Sequence, residues 1–203
     1  MIDPLNFIPA ASARAEIRVS NSRFIASAGP AASVEDARAF ISAVRAEMVA
    51  ASHHCYAYLI GHGATTTLGM SDDGEPAGTA GRPIMSVVKG SGLGDVVLVV
   101  TRYFGGTLLG TGGLVHAYSD AAKAVQALLP RAAKIERQSL DIHVEYATYE
   151  PLKRLLEAHG GVIAAETFAA DVLLRVALPR AQVAPFSLAA RELTAGRAQL
   201  TQV

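Results

Sequence analysis

Two glycine-rich loops enclose one apolar strand between Ser71 and Tyr118, and this arrangement constrains the chain more than any other feature. The first loop reads Ser71-Asp72-Asp73-Gly74-Glu75-Pro76-Ala77-Gly78-Thr79-Ala80-Gly81-Arg82-Pro83. The strand, Val96 to Val100, does not alternate apolar with polar residues, so it is expected to be buried on both faces. It runs into Thr101-Arg102-Tyr103-Phe104-Gly105-Gly106 and then Leu109-Gly110-Thr111-Gly112-Gly113-Leu114. Glycine adopts backbone conformations that other residues resist and lets a ligand approach the main chain. Asp72, Asp73, Glu75, Arg82 and Arg102 sit in these loops, where functional groups concentrate.

Periodicity and breakers place the flanking elements. Arg14–Val19 and Arg23–Ala28 read as a hairpin about Asn21-Ser22. Ser33 has the character of an N-cap, with Asp36 three residues on, for a helix over 34–51 with Val34, Ala37, Ile41, Val44 and Met48 on one face. His53–Ile60 and Thr65–Met70 read as a strand pair, Pro83 opens a short helix, Asp95–Tyr103 is the buried strand, and Leu114–Leu129 is an apolar helix stopped by Pro130. Residues 1–11 read as a tail or extended lead-in. The charged segment 131–138 is expected to link an N-terminal domain, 1–130, to a C-terminal one, 139–203. Beyond it come a strand (139–146), a helix (148–159), strands at 162–168 and 171–178, a helix within 179–195 and a last strand (197–203). That order is the ferredoxin-like plait.

Composition narrows the function classes. With 51% hydrophobic and 18% charged residues, the 203-residue chain can build a core and is not disordered. The formal charge is zero and evenly divided between the halves, so neither half is a basic nucleic-acid module in bulk, and a polyanion would need a local patch. No apolar run approaches the roughly 20 residues that cross a bilayer. The start of the chain lacks a signal-peptide pattern, and the single cysteine, Cys55, excludes an internal disulfide. A cytoplasmic protein without membrane association is expected.

At the two loops the sequence resembles the YigZ/IMPACT family. The carrying residues are Ser71–Pro76, Gly78–Pro83, Val100–Gly106, Leu109-Gly110 and Gly112–Leu114, with Ser22-Arg23-Phe24-Ile25 and His54-Cys55-Tyr56-Ala57-Tyr58 in support. The resemblance covers nearly the whole chain and implies the bacterial two-domain layout. The N-terminal domain would then be similar to elongation factor G domain IV, a ribosomal-protein-type β-α-β fold, and the C-terminal plait to its domain V. The eukaryotic relative is a translation regulator acting through protein partners, and a ribosome or nucleic-acid association is implied for the bacterial branch. Three positions depart from the family pattern: Asn21, Leu108 and His116 stand where cations are typical.

Several site readings follow. Arg82, Arg102, Tyr103, Gly105, Gly106, Gly110, Gly112 and Gly113 form a candidate anion- or nucleic-acid-binding surface, with backbone amides at a helix start and guanidinium groups beside them. Against it stands a structural reading in which the glycines only permit tight turns, and Arg82 and Arg102 pair with Asp72, Asp73 or Glu75. That acidic trio has the residue types for Mg²⁺ or acid–base work, or it shapes a polar loop. His54, through the family motif, is a further candidate, whereas Cys55 reads as core. Tyr103 either stacks a base or packs in the core. Neither metal nor cofactor is expected. Two functions are weighed: a non-enzymatic, translation-linked protein binding the ribosome, RNA or a translation factor, and an enzyme acting on a small phosphorylated or otherwise anionic substrate at the same loops.

Overall fold

The computed structural model describes residues 6–63 and 65–202. It divides into two compact units, Met1–Lys134 and Ile135–Val203. Every pairing between named strands is antiparallel, so the protein is a two-domain α+β structure.

Unit 1 runs β1 (Phe7–Pro9), β2 (Ala13–Val19), β3 (Ser22–Pro30), α1 (Val34–Glu47), β4 (His53–Ile60), β5 (Thr67–Ser71), α2 (Gly81–Gly90), β6 (Val96–Tyr103), α3 (Gly110–Leu128) and β7 (Arg131–Ala133). Five strands form one sheet in the order β2-β3-β6-β4-β5. β6, the apolar strand between the glycine loops, is central and buried along its length up to Tyr103. Alternate residues supply two cores. Phe24, Cys55, Leu98 and Val100 face α2 and α3, while Ile25, Val97 and Val99 face α1.

Local chemistry explains the helix starts. Ser33 and Asp36 form a reciprocal capping box at α1, at 3.0 Å in each direction. α1 closes at Glu47, short of the expected residue 51, where Met48 leaves helical geometry. α2 begins at Gly81, two residues before Pro83, and α3 at Gly110, four residues before Leu114. Residues 131–133, within the expected linker, pair with β1 as a two-stranded ribbon, and Lys134 reaches the buried carboxylate of Asp95.

Unit 2 runs β8 (Arg137–Val144), α4 (Tyr146–Ala158), β9 (Val162–Phe168), β10 (Val172–Pro179), α5 (Val183–Leu193) and β11 (Gln199–Gln202). Its sheet order, β11-β8-β10-β9, with this element order is the ferredoxin-like plait. Leu140, Ile142, Leu174 and Val176 of the sheet bury against Leu152, Leu156 and Phe186 of the two helices.

Candidate functional site at the loop end of unit 1

Asp72 organises the first glycine loop. Its carboxylate accepts hydrogen bonds from the amides of Gly78 at 2.8 Å, Ala80 at 3.0 Å and Gly81 at 2.8 Å. The residue at the N-cap of α2 is Ala80, which offers no side-chain acceptor. Asp72 therefore caps α2 from outside the helix and satisfies amides that would otherwise be orphaned. Burial opposes ionisation of Asp72, but the three amides and the nearby charge of Arg82 outweigh it and hold the carboxyl below its ordinary value. Asp73 follows with φ 44° and Gly74 with φ 86°, a left-handed pair that turns the chain back so that the Glu75 amide donates to the Asp72 carbonyl at 2.9 Å.

This turn delivers Glu75 into the protein. Glu75 is 8% exposed and Arg102 5%. Arg102 Nη1 donates to Glu75 Oε1 at 2.7 Å, and Tyr118 of α3 donates its hydroxyl to the same oxygen at 2.7 Å. Arg102 Nη2 donates to Ser22 Oγ at 3.2 Å, which also accepts from the Gly105 amide at 3.3 Å. The guanidinium carbon lies 5.4 Å from the ring centroids of both Phe24 and Phe104, a distance at which ring faces attract cations. Among the described residues, Arg102 Nε has no polar partner. Arg102 is thus a neutralised core cation, in the pairing that the sequence left open among three carboxylates.

A second set of contacts surrounds the pair. His53 Nδ1 donates to the Asp73 carbonyl at 2.8 Å, and its Nε2 lies 3.9 Å from Glu75 Oε1. Asp73 accepts from the backbone amide of His54 at 2.7 Å and pairs with Arg45 of α1. His54 itself is buried, with Nδ1 3.1 Å from Thr101 Oγ1. Burial pushes its imidazole below the ordinary value, against the pull of Asp73. Cys55 is fully buried, 2.9 Å from the Asp72 carbonyl and 3.4 Å from the Tyr118 hydroxyl. Burial pushes its thiol up to about 12, so it stays protonated at neutral pH and is not a nucleophile. The Tyr118 hydroxyl is also raised, first by burial and then by Cys55 and Glu75.

The structure therefore brings Asp72, Asp73, Glu75, His54 and Arg102 together, and adds Ser22, His53, Arg45 and Tyr118. Ser22 lies in one of the family-like segments, whereas Tyr118 has no sequence signal beyond one hydroxyl on an apolar helix face. Among the described residues, no group of three or more His, Cys, Asp or Glu is arranged to hold a metal ion. Tyr103 is half-buried on the α1 side, with the Arg23 guanidinium 5.4 Å from its ring centre.

The remaining candidates face outward. Arg82 is exposed, its stem against Gly78. Gly106, Gly110 and Gly112 border open space, and Gly113 lies against Leu109. Gly105 differs: a Cβ there would collide with the Asn21 backbone, so the second loop needs a glycine to approach the β2–β3 turn. Phe104 is 47% exposed, Leu108 86% and Val115 37%. The outer surface is largely apolar side chains and bare backbone, with Arg82 and His116 also exposed, and the Glu75–Arg102 charge beneath it is internally paired.

An antiparallel five-strand domain carrying this loop pair, followed by a ferredoxin-like domain, defines the class. The Impact N-terminal domain model matches residues 20–126, and the model of a domain of unknown function, DUF1949, matches residues 142–197. The chain belongs to the IMPACT family. It is 42% identical over 197 residues to the IMPACT family member YigZ of Escherichia coli strain K12, covering 97% of each chain. An IMPACT family member of Haemophilus influenzae is 37% identical, with 94% of this chain and 93% of that one covered. A crystal structure described as that of a hypothetical protein superposes with a TM-score of 0.78 at 41% identity, covering 97% of this chain and 96% of the other. No helix among the described residues is long and apolar enough to cross a membrane.

Proposed function

We propose that this protein is a non-enzymatic, translation-linked binding protein that engages the ribosome, RNA or a translation factor through the loops spanning 72–82 and 102–114. The observation that carries this reading is the division of the loop end into an inner and an outer part. Inside, Glu75, Arg102, Tyr118 and Cys55 satisfy or shield one another. Outside stand Phe104, Leu108, Val115 and Arg82 with exposed glycine backbone, a surface suited to contact. Family membership and the translation role of the eukaryotic relative support it, as does the analogy of the two units to elongation factor G domains IV and V. Leu108, His116 and Asn21 leave the surface poor in cations, which favours a protein surface over a long polyanion.

Co-sedimentation with ribosomes over a salt series tests the reading. Association that survives salt and is lost in Leu108→Asp and Phe104→Ala supports it. Equal sedimentation of parent and both variants refutes the assignment to these loops, and none by the parent refutes engagement of the ribosome.

The enzymatic alternative draws on one observation. The first turn of α3 has neither a side-chain cap nor an acid, and Gly110 and Gly112 are exposed there, a geometry open to a small anion. A metabolite thermal-shift screen that stabilises the parent but not Gly112→Asp would favour it.

A further inference from the structure

Two helices cover one face of the five-stranded sheet, and a single helix covers the other. α2 and α3 pack together on the first face. On the second, α1 packs against β3, β6 and β4. Five strands about 4.8 Å apart make a sheet roughly 20 Å across, whereas a helix with its side chains is about 10 Å wide. Like β5 at the other edge, the flank over β2 lies largely beyond α1.

Two adjoining cavities occupy that flank, of about 410 Å³ and about 470 Å³. The first lies between Ser27 of β3 and Phe40, Ala43 and Val44 of α1. Those α1 positions are spaced three and four apart, so they form one stripe along the helix. The second is lined by Ile25, Met48 and Tyr103 together with the charged side chains of Glu16 and Arg23. Arg14 and Glu47 border both cavities and join β2 to α1 by a two-pronged ion pair, with Arg14 Nε donating to Ser27 Oγ at 3.0 Å.

Charge on the flank is unequal. Three guanidinium groups, Arg14, Arg18 and Arg23, stand against two carboxylates. Glu47 is taken by Arg14, and Glu16 alone serves Arg23 at 2.9 Å and Arg18 at 3.4 Å. The Arg18 side chain is 77% exposed.

We infer that this flank is a docking groove for an amphipathic helix of a protein partner, with acidic residues along the border that meets Arg18 and Arg23. A helix lying beside α1 at the usual spacing of about 8–10 Å takes the place of the missing second helix. Its apolar stripe meets Phe40, Ala43 and Val44, as in helix-in-groove recognition. The apolar stripe of Phe40, Ala43 and Val44 in the first cavity and the carboxylates of Glu16 and Glu47 on the border do not match what a nucleic-acid backbone requires. Apart from Tyr103, the groove lies on elements other than the glycine loops, so its test is independent of the function proposed above.

A photo-crosslinking residue at Ala43 of the full chain, with Ser86 of α2 as control, tests the inference in cells. The expected result is one protein adduct specific to Ala43, mapping to an acidic segment with apolar residues at helical spacing. A synthetic peptide of that segment should bind the purified protein, gain helical circular dichroism, and bind at least tenfold more weakly to Arg18→Glu/Arg23→Glu and to Ala43→Arg, which fills the groove. The inference is overturned by no discrete adduct at Ala43, by the same adducts at Ser86, or by adducts with RNA, a second copy of this chain or a basic or extended segment. Unchanged peptide affinity in folded Ala43→Arg overturns it equally.

Discussion

Glu75 and Arg102 meet at 2.7 Å with both side chains withdrawn from solvent, and the hydroxyl of Tyr118 reaches the same carboxylate oxygen. Residues from the first loop, the central strand and α3 are thereby locked at one point. A buried ion pair of this kind is costly to break from one side and much less costly to replace as a unit.

Removing one partner should therefore be severe. Arg102→Ala leaves Glu75 buried and unpaired, and a loss of about 3–5 kcal/mol is expected. Urea denaturation measures it. Glu75→Met/Arg102→Met should recover much of that loss, and a double variant no more stable than Arg102→Ala would contradict the pairing account.

Tyr118→Phe keeps the ring, which meets Phe24 edge-on with centroids 5.3 Å apart, and deletes only the hydroxyl. A hydrogen bond to a charged group contributes about 1.5–3 kcal/mol, so a loss in that range is expected by the same measurement. A change within error would mean that Glu75 needs only Arg102.

The cap on α2 predicts an acid dependence. The amides of Gly78, Ala80 and Gly81 hold the Asp72 carboxyl below its ordinary value in the folded protein. The unfolded chain then binds the proton more readily, so this contribution is full above the unfolded value of about 3.9 and is lost as pH falls through the folded one. Asp72→Asn should be less stable than the parent at neutral pH. The two stability curves should converge as pH falls from about 5 toward 2. Parallel curves across that window would show that the charge of Asp72 is irrelevant to the cap.

Cys55 should resist labelling. Burial and a thiol pushed up to about 12 leave almost no thiolate at neutral pH. Ellman's reagent should react with the native protein only as fast as it opens, and promptly in denaturant. Fast native labelling would place the thiol at the surface.

Much of the fold was legible because its signals are local. Ser33 and Asp36 lie three residues apart and cap α1 as expected, and β9 occupies 162–168 as expected, directly after the Gly160-Gly161 break. The start of α2 was not legible, because its cap is Asp72, far outside the helix. α3 starts early for a related reason: Gly110 to Gly113 carry no apolar periodicity, so a pattern of buried residues cannot register their turn. At the site, the sequence gathered the charged residues but not their partners. Glu75, rather than Asp72 or Asp73, meets Arg102 because Asp73 and Gly74 turn the chain between them. The expectation placed function on His54, yet His54 is enclosed between Thr101 and Asp73, and the neighbouring His53 faces the ion pair.

The ribbon of β1 and β7 has a consequence for synthesis. It pairs Phe7 with Ala133, and Phe7 also bridges to Leu93 and accepts the amide of Gly94. A chain emerging at about 5–20 residues per second therefore exposes its first described strand for several seconds before the strand's partner leaves the ribosome. The five-stranded sheet gains its last strand, β6, well before that, so the sheet can form while the ribbon cannot. Closure of unit 1 by the ribbon must await Arg131, and a chain truncated before Arg131 should carry a formed sheet with β1 lacking its ribbon partner.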